Sequence, residues 1–333
     1  MTKTVGLALG GGGARGWAHI GVIRALEEAN IKISYLAGTS IGALVGAVYV
    51  ADALDKLEAF ADDIDLKNLL SLMDVSFPSP GLIDGDRINA FMTEYLLDKR
   101  IENATIPFRC VATNFLLKNE VVLDNGLMVD AVRGSISIPG IFTPFQKEEN
   151  IYLVDGGVVN PVPVSVVKAM GADIVIAVNL NKDPKTGRPT SEEASDQSES
   201  DASPTEGEAD AEETSEHPSD DGCSGVLPTL ANRYEALKDV LQDQIDDWIP
   251  DPSTGLNIFD VLGNSINMME QLVTEANLRR DRPDLLIEPN LMEFGIFDFH
   301  QSRPMIQKGY DAAKAMLPQI EELLASSNKR DQT

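Results

Sequence analysis

Three short apolar runs in this chain each break off into a glycine-bearing junction. TVGLAL (4–9) leads into Gly10-Gly11-Gly12-Gly13-Ala14-Arg15-Gly16. ISYLA (33–37) leads into Gly38-Thr39-Ser40-Ile41-Gly42, and IYLV (151–154) into Asp155-Gly156-Gly157. Short apolar runs bounded by turn residues are the pattern of strands buried on both faces. After the first junction Trp17, Ile20, Ile23 and Leu26 recur at roughly helical spacing, which predicts a helix over 14–30. After the second, an apolar helical pattern extends to about Asp63. This alternation predicts an α/β fold with a mainly parallel sheet. Open sheets of that kind place their sites beyond the C-terminal ends of the strands. All three junctions are therefore expected on one sheet edge.

Further strands are predicted at 107–115, 120–124, 173–180 and 285–288. Helices are predicted at 127–137, 230–247, 257–279 and 303–325. Residues 64–106 read as helical with interruptions, including a loop at 77–81. From 182 to 227 large apolar residues almost vanish. Thr190 to Gly222 alone holds 13 acidic residues and no lysine or arginine, half of the formal charge of −26. Such a stretch cannot bury enough surface to offset its ordering entropy and is expected to be a disordered acidic insertion. The expectation is one domain over 1–333, interrupted at about 182–227, with its motifs in 4–181 and a helical C-terminal part over 228–326.

The acidity argues against nucleic acid as a partner, because phosphate recognition needs a basic surface. Cys110 and Cys223 show no metal or redox spacing, which favours a reducing, cytoplasmic setting. No run of 18 apolar residues predicts a membrane-spanning helix. The segment MTKTVGLALGGGG reads as a first strand rather than a secretory leader.

The junctions also carry chemistry. Read from Gly11, the first matches the G-x-G-x-x-G of dinucleotide sites, but the second strand ends without the acidic residue that would hold a ribose. The other reading is an anion cradle of consecutive glycine N–H groups at a helix start. The second junction is a G-x-S-x-G motif, in which small Gly38 and Gly42 permit a sharp strand-to-helix turn around Ser40. A serine nucleophile needs a base. His19 lies inside the first predicted helix and His217 in the acidic stretch, so His300 is the only credible triad histidine. Asp155 in direct contact with Ser40 is the simpler answer.

GGGGARG, GTSIG and DGG, in this order and at these junctions, resemble the patatin-like phospholipase family, and the likeness runs from about 4 to 181. It includes Ser137-Ile138-Pro139-Gly140 ahead of the aspartate strand, and FGIFDFHQSRPMIQKGY (294–310) is similar to the bacterial cytoplasmic branch. The resemblance implies a three-layer α/β/α fold and a serine acyl hydrolase with a Ser-Asp dyad. It implies Ser40 as nucleophile, Asp155 as proton acceptor and Gly11, Gly12 and Gly13 as oxyanion hole. Arg15, Gly38, Gly42, Gly156 and Gly157 support them. Neither metal nor cofactor is implied. The implied partner is a lipid or acyl-ester substrate, with peripheral contact to the inner face of a membrane. Two other classes stay open: an interaction protein acting through the acidic stretch, and a nucleotide-binding protein using the glycine loop.

Overall fold

The structure is a computed structural model that describes residues 3–64, 81, 83–182 and 258–326. The acidic stretch beyond Lys182, the helix expected at 230–247 and residues 77–80 of the expected loop lie outside these residues.

Among the described residues eight strands form one sheet: β1 (Val5–Leu9), β2 (Ile33–Thr39), β3 (Phe108–Asn114), β4 (Asn119–Leu123), β5 (Phe145–Glu148), β6 (Ile151–Asp155), β7 (Ile174–Val178) and β8 (Leu285–Ile287). Their order is β5-β6-β3-β2-β1-β7-β8, with β4 also on β3. The run β3-β2-β1-β7-β8 is parallel throughout. Every residue of β1 and β7 is buried, as the unbroken apolar runs require.

Helices cover both faces. Leu7, Leu9, Leu36 and Ile176 join one core beneath α1 (Ala18–Glu28), α2 (Ile41–Val50) and the C-terminal helix Ser302–Ala325. Ala8, Ala37, Val175 and Ala177 face a smaller core with Val164, Val166 and Val167 of the short helix Val164–Ala169, and Leu278 of the long helix Ile258–Asp281 packs against it. The architecture is therefore three-layer α/β/α with a mainly parallel central sheet.

Four local expectations change. The first predicted helix opens as a 3-10 turn, Gly13–Trp17, before α1 begins. The helix expected from Ser40 to Asp63 is two: α2 and α3 (Leu54–Asp63), separated where Asp52 turns left-handed at φ 58°. Aspartate tolerates that conformation better than most residues. β5, FQKE, escapes notice in the sequence because three of its four residues are exposed and polar. Most consequential is the direction of β6. The sequence places Asp155 at the end of a parallel strand, but β6 runs antiparallel to β3.

That direction builds the site. Along 110–114, β4 occupies one flank of β3. On the other flank β2 pairs as far as Thr39 opposite Val111, and β6 pairs back to Asp155 opposite Ala112. The two strands thus meet end to end, and their last residues face neighbouring positions of one shared strand.

Candidate active site

Ser40 follows the last residue of β2 and caps α2 with φ 55° and ψ −126°. A positive φ is costly for a residue with a side chain, of order 1–3 kcal/mol, and such strain gathers at functional sites. The flanking glycines make the turn feasible. A Cβ on Gly38 would stand 2.3 Å from the Gly42 carbonyl oxygen, and one on Gly42 would stand 2.3 Å from that of Leu9. The Ser40 N–H donates to Ser135 Oγ at 2.9 Å, and the Ser135 hydroxyl donates to Val111 O at 2.5 Å.

Ser40 Oγ donates to Asp155 Oδ2 at 2.5 Å. Both residues are buried, Ser40 at 5% and Asp155 at 2% exposure. The other carboxylate oxygen, Oδ1, accepts the Gly157 N–H at 2.7 Å. The Asp155 backbone is fixed as well: its N–H donates to Ser137 O and its carbonyl accepts from the Thr113 hydroxyl, both at 2.8 Å. Gly156 is needed for close approach, since a Cβ there would lie 2.3 Å from Val111 O. Burial pushes the Asp155 carboxyl up to about 6, against the smaller opposing pull of its bonds from Ser40 and Gly157.

The glycine loop packs against Ser40, with the point where a Cβ on Gly11 would stand only 3.4 Å from Ser40 Cβ. The N–H of Gly11, one of the three expected to face the oxyanion, donates to Pro161 O at 2.9 Å. Gly10 and Ala14 are likewise committed, to Val178 O and Ile296 O. Among the described residues, Gly12 and Gly13 keep N–H groups without a protein acceptor. Their φ values, 155° and 57°, and the Ile296 carbonyl oxygen 2.3 Å from a Cβ on Gly13 explain why glycine is required there. Arg15 ties this loop to the C-terminal part of the chain. Its Nε donates to Phe294 O at 2.9 Å, and its Nη1 to Asn181 Oδ1 at 3.2 Å and Asn267 Oδ1 at 3.0 Å.

Neither histidine near the motifs touches Ser40 Oγ. His19 is fully buried, and its Nε2 lies 2.8 Å from Gly10 O; burial holds its ring down near 4 and so neutral. His300 is exposed in a 3-10 turn, Phe299–Gln301.

An apolar cavity of about 140 Å³ opens at Ser40, lined among others by Leu44, Phe60, Ile83, Phe91, Ile141 and Phe297. On the long helix Ile258–Asp281, Met268 and Met269 face solvent at 64% and 59% exposure. Between Asn267 and Asn277 that helix turns a polar stripe inward. Asn267 meets Arg15, Glu270 Oε2 accepts from Asn181 Nδ2 at 3.1 Å, Thr274 is buried, and Asn277 Nδ2 donates to Val159 O at 3.0 Å. The spacing 267, 270, 274, 277 is a helical stripe, legible in the sequence to a search for polar as well as apolar periodicity. Ser135 carried no such signal.

Among the described residues no cluster of three or more His, Cys, Asp or Glu could hold a metal ion, and no helix is long and apolar enough to cross a membrane. The chain is 39% identical over 177 residues to an uncharacterised NTE family protein of Mycobacterium tuberculosis, a match covering 53% of this chain and 49% of the relative. It is 38% identical over 183 residues to a lysophospholipase NTE1 of Coccidioides immitis, covering 54% of this chain and 12% of that one. The match to the Mycosarcoma maydis lysophospholipase NTE1 is 40% over 183 residues, 53% of this chain and 10% of the other. This chain thus spans about half the length of the mycobacterial relative and far less of the fungal ones. VipD from Legionella pneumophila, a solved structure, aligns at 12% identity with a TM-score of 0.40, over 97% of this chain and 66% of that one. Residues 7–168 match the family model of the patatin-like phospholipases. Residues 7–168 thus form a patatin-like phospholipase domain.

Proposed function

We propose that this protein is a serine acyl hydrolase that cleaves fatty acyl esters of lipids through a Ser40–Asp155 dyad, within one domain that the acidic stretch interrupts. The observation that carries the reading is the 2.5 Å hydrogen bond between two buried side chains, Ser40 Oγ and Asp155 Oδ2. The family and the lysophospholipase names of its fungal relatives support lipid as the substrate class.

Asp155 takes the Ser40 proton as Oγ attacks the ester carbonyl carbon. A general base so placed is worth about 10²–10⁴-fold in rate. The carbonyl π electrons move onto oxygen, and the Gly12 and Gly13 N–H groups receive that charge together with the positive end of α2. As the tetrahedral intermediate collapses, Asp155 returns the proton to the departing alkoxide, leaving an acyl ester on Ser40. Water, deprotonated by Asp155, attacks that ester; as the acyl–Oγ bond breaks, Asp155 returns the proton to Ser40 Oγ and the fatty acid is released. The cavity of apolar side chains suits the acyl chain, at about 0.8 kcal/mol per buried methylene. Peripheral contact with a membrane belongs to the same reading, because the substrate is a membrane constituent.

The test is hydrolysis of a medium-chain p-nitrophenyl ester and of phospholipid and lysophospholipid vesicles by wild type, Ser40→Ala, Asp155→Asn and His300→Ala. Each dyad variant is expected to lose about 10³-fold or more, while His300→Ala keeps its rate. An inactive, folded His300→Ala would replace the dyad with a triad. A folded wild type that cleaves none of these substrates would sink the reading.

A further inference from the structure

A second carboxyl group stands beside the dyad. Glu270 projects from the long helix Ile258–Asp281, outside the residues matched by the family model. It is half-buried with its carboxyl turned inward. Its Oε2 accepts from Asn181 Nδ2 at 3.1 Å, and the same Asn181 amide reaches Gly11 O at 3.4 Å. Its Oε1 lies 2.2 Å from the point where a Cβ on Gly157 would stand; Asp155 Oδ1 lies 3.1 Å from that same point. The two carboxyl groups therefore converge on one glycine, and only glycine leaves room between them. Oε1 is also 3.9 Å from the Cβ position of Gly11, the position that faces Ser40.

We propose that Glu270 is a positioning residue for the dyad: a second carboxyl, kept protonated against Asp155, that confines the pair's single negative charge to the carboxylate touching Ser40. The inference rests on the dyad proposed above.

Two carboxyl groups facing one secluded point cannot both ionise cheaply, and their surroundings decide which one does. Asp155 receives an O–H from Ser40 and an N–H from Gly157. Glu270 receives one amide N–H. The charged groups that act on it are Asp155, from the end of β6, and Arg15, from the glycine loop; Asp298 acts in turn on Arg15. Asn179 and Asn181, on the segment after β7, are neutral. Burial first, and the Asp155 charge second, push Glu270 up to about 8, while Asp155 lies near 6. Between these values the pair carries one charge, on Asp155. Above them a second charge arrives beside Asp155 and the glycine loop. That charge opposes the oxyanion the loop would hold, so the rate falls.

The test is the rate at which a fluorophosphonate labels Ser40, followed by intact mass between about pH 5 and pH 10. Wild type is expected to give a bell, rising near pH 6 and falling about tenfold by one pH unit beyond the alkaline midpoint. Glu270→Gln should keep the acid limb and lose the alkaline one; Glu270→Asp, which retains a carboxyl, should keep both. A structural role for Glu270 would leave the shape unchanged. An alkaline limb that survives in Glu270→Gln, or is absent from wild type, overturns the proposal. Should Glu270→Gln fail to fold, ¹³C-carboxyl titration of wild type decides, since a Glu270 already ionised near pH 6 is incompatible with it. A folded wild type that no probe labels at any pH removes the dyad itself, and Glu270 with it. Labelling with an unaltered limb removes Glu270 alone.

Discussion

Ser40 stands between two environments of opposite character. On one side lies a cavity walled by isoleucine, leucine and phenylalanine. On the other lie Asp155, Glu270, Asn181 and Arg15, linked by hydrogen bonds and charge. The apolar side is an ordinary product of helix packing, drawn from α2, α3 and the segment around Ile138. The polar side is assembled from the last residue of β6, the loop after β1, the segment after β7 and the helix near residue 270. The proposed hydrolytic site asks for two different things of its scaffold. Room for a chain comes from shape alone, whereas a buried charge needs a partner for every atom.

Asp155 offers the strongest test of that contrast. Its pKa in the folded chain, about 6, lies above the 3.8 of an ordinary aspartate. Its favourable contribution to stability is complete below about pH 4 and is lost as pH rises through 6. Asp155→Asn escapes that loss. That variant should therefore be more stable than wild type at pH 7, by on the order of 3 kcal/mol. The gain should vanish near pH 4. Denaturant unfolding at the two pH values checks this, and an equal or lower midpoint at pH 7 would mean that the carboxylate is not held at a cost.

The apolar side can be challenged without touching a charge. Ile138→Trp should fill part of the cavity and cut kcat/KM for long acyl esters by roughly thirtyfold, the worth of two or three methylenes. Acetate esters should lose less than about threefold. A parallel loss on both would show that the cavity does not take the chain.

A smaller effect is expected at Ser135→Ala, which removes the acceptor of the Ser40 N–H. That hydrogen bond holds the strained turn, so kcat should drop about tenfold with little change in KM. Single-turnover acylation measures it, and an unchanged rate would assign the turn to its glycines alone.

Much of the fold could be read from the chain, because its central strands are buried on both faces and announce themselves as unbroken apolar runs. β5 could not, being exposed and polar. The three motifs were legible because each demands glycine for a steric reason visible locally. Partnership was not. Nothing near Gly11 reveals that Pro161, 150 positions later, claims its N–H. Nor does IYLVDGG say which way it runs beside β3, although that direction brings Asp155 to Ser40. Glu270 was hidden because its neighbours Met268 and Met269 are apolar yet exposed, so local composition does not tell which face of this helix turns inward.

The end-to-end meeting of β2 and β6 makes β3 a gauge. Thr39 and Asp155 are set opposite its adjacent residues, Val111 and Ala112. A slip of one residue in either pairing would displace its strand by about 3.3 Å and turn its side chains to the other face. The Ser40–Asp155 contact tolerates no such error. A chain refolded with a single misregistered strand could keep its helices, most of its core and its spectroscopic signature, yet hold Ser40 and Asp155 out of reach of each other. Under the proposed dyad, reactivity at Ser40 measures the accuracy of assembly more finely than compactness does.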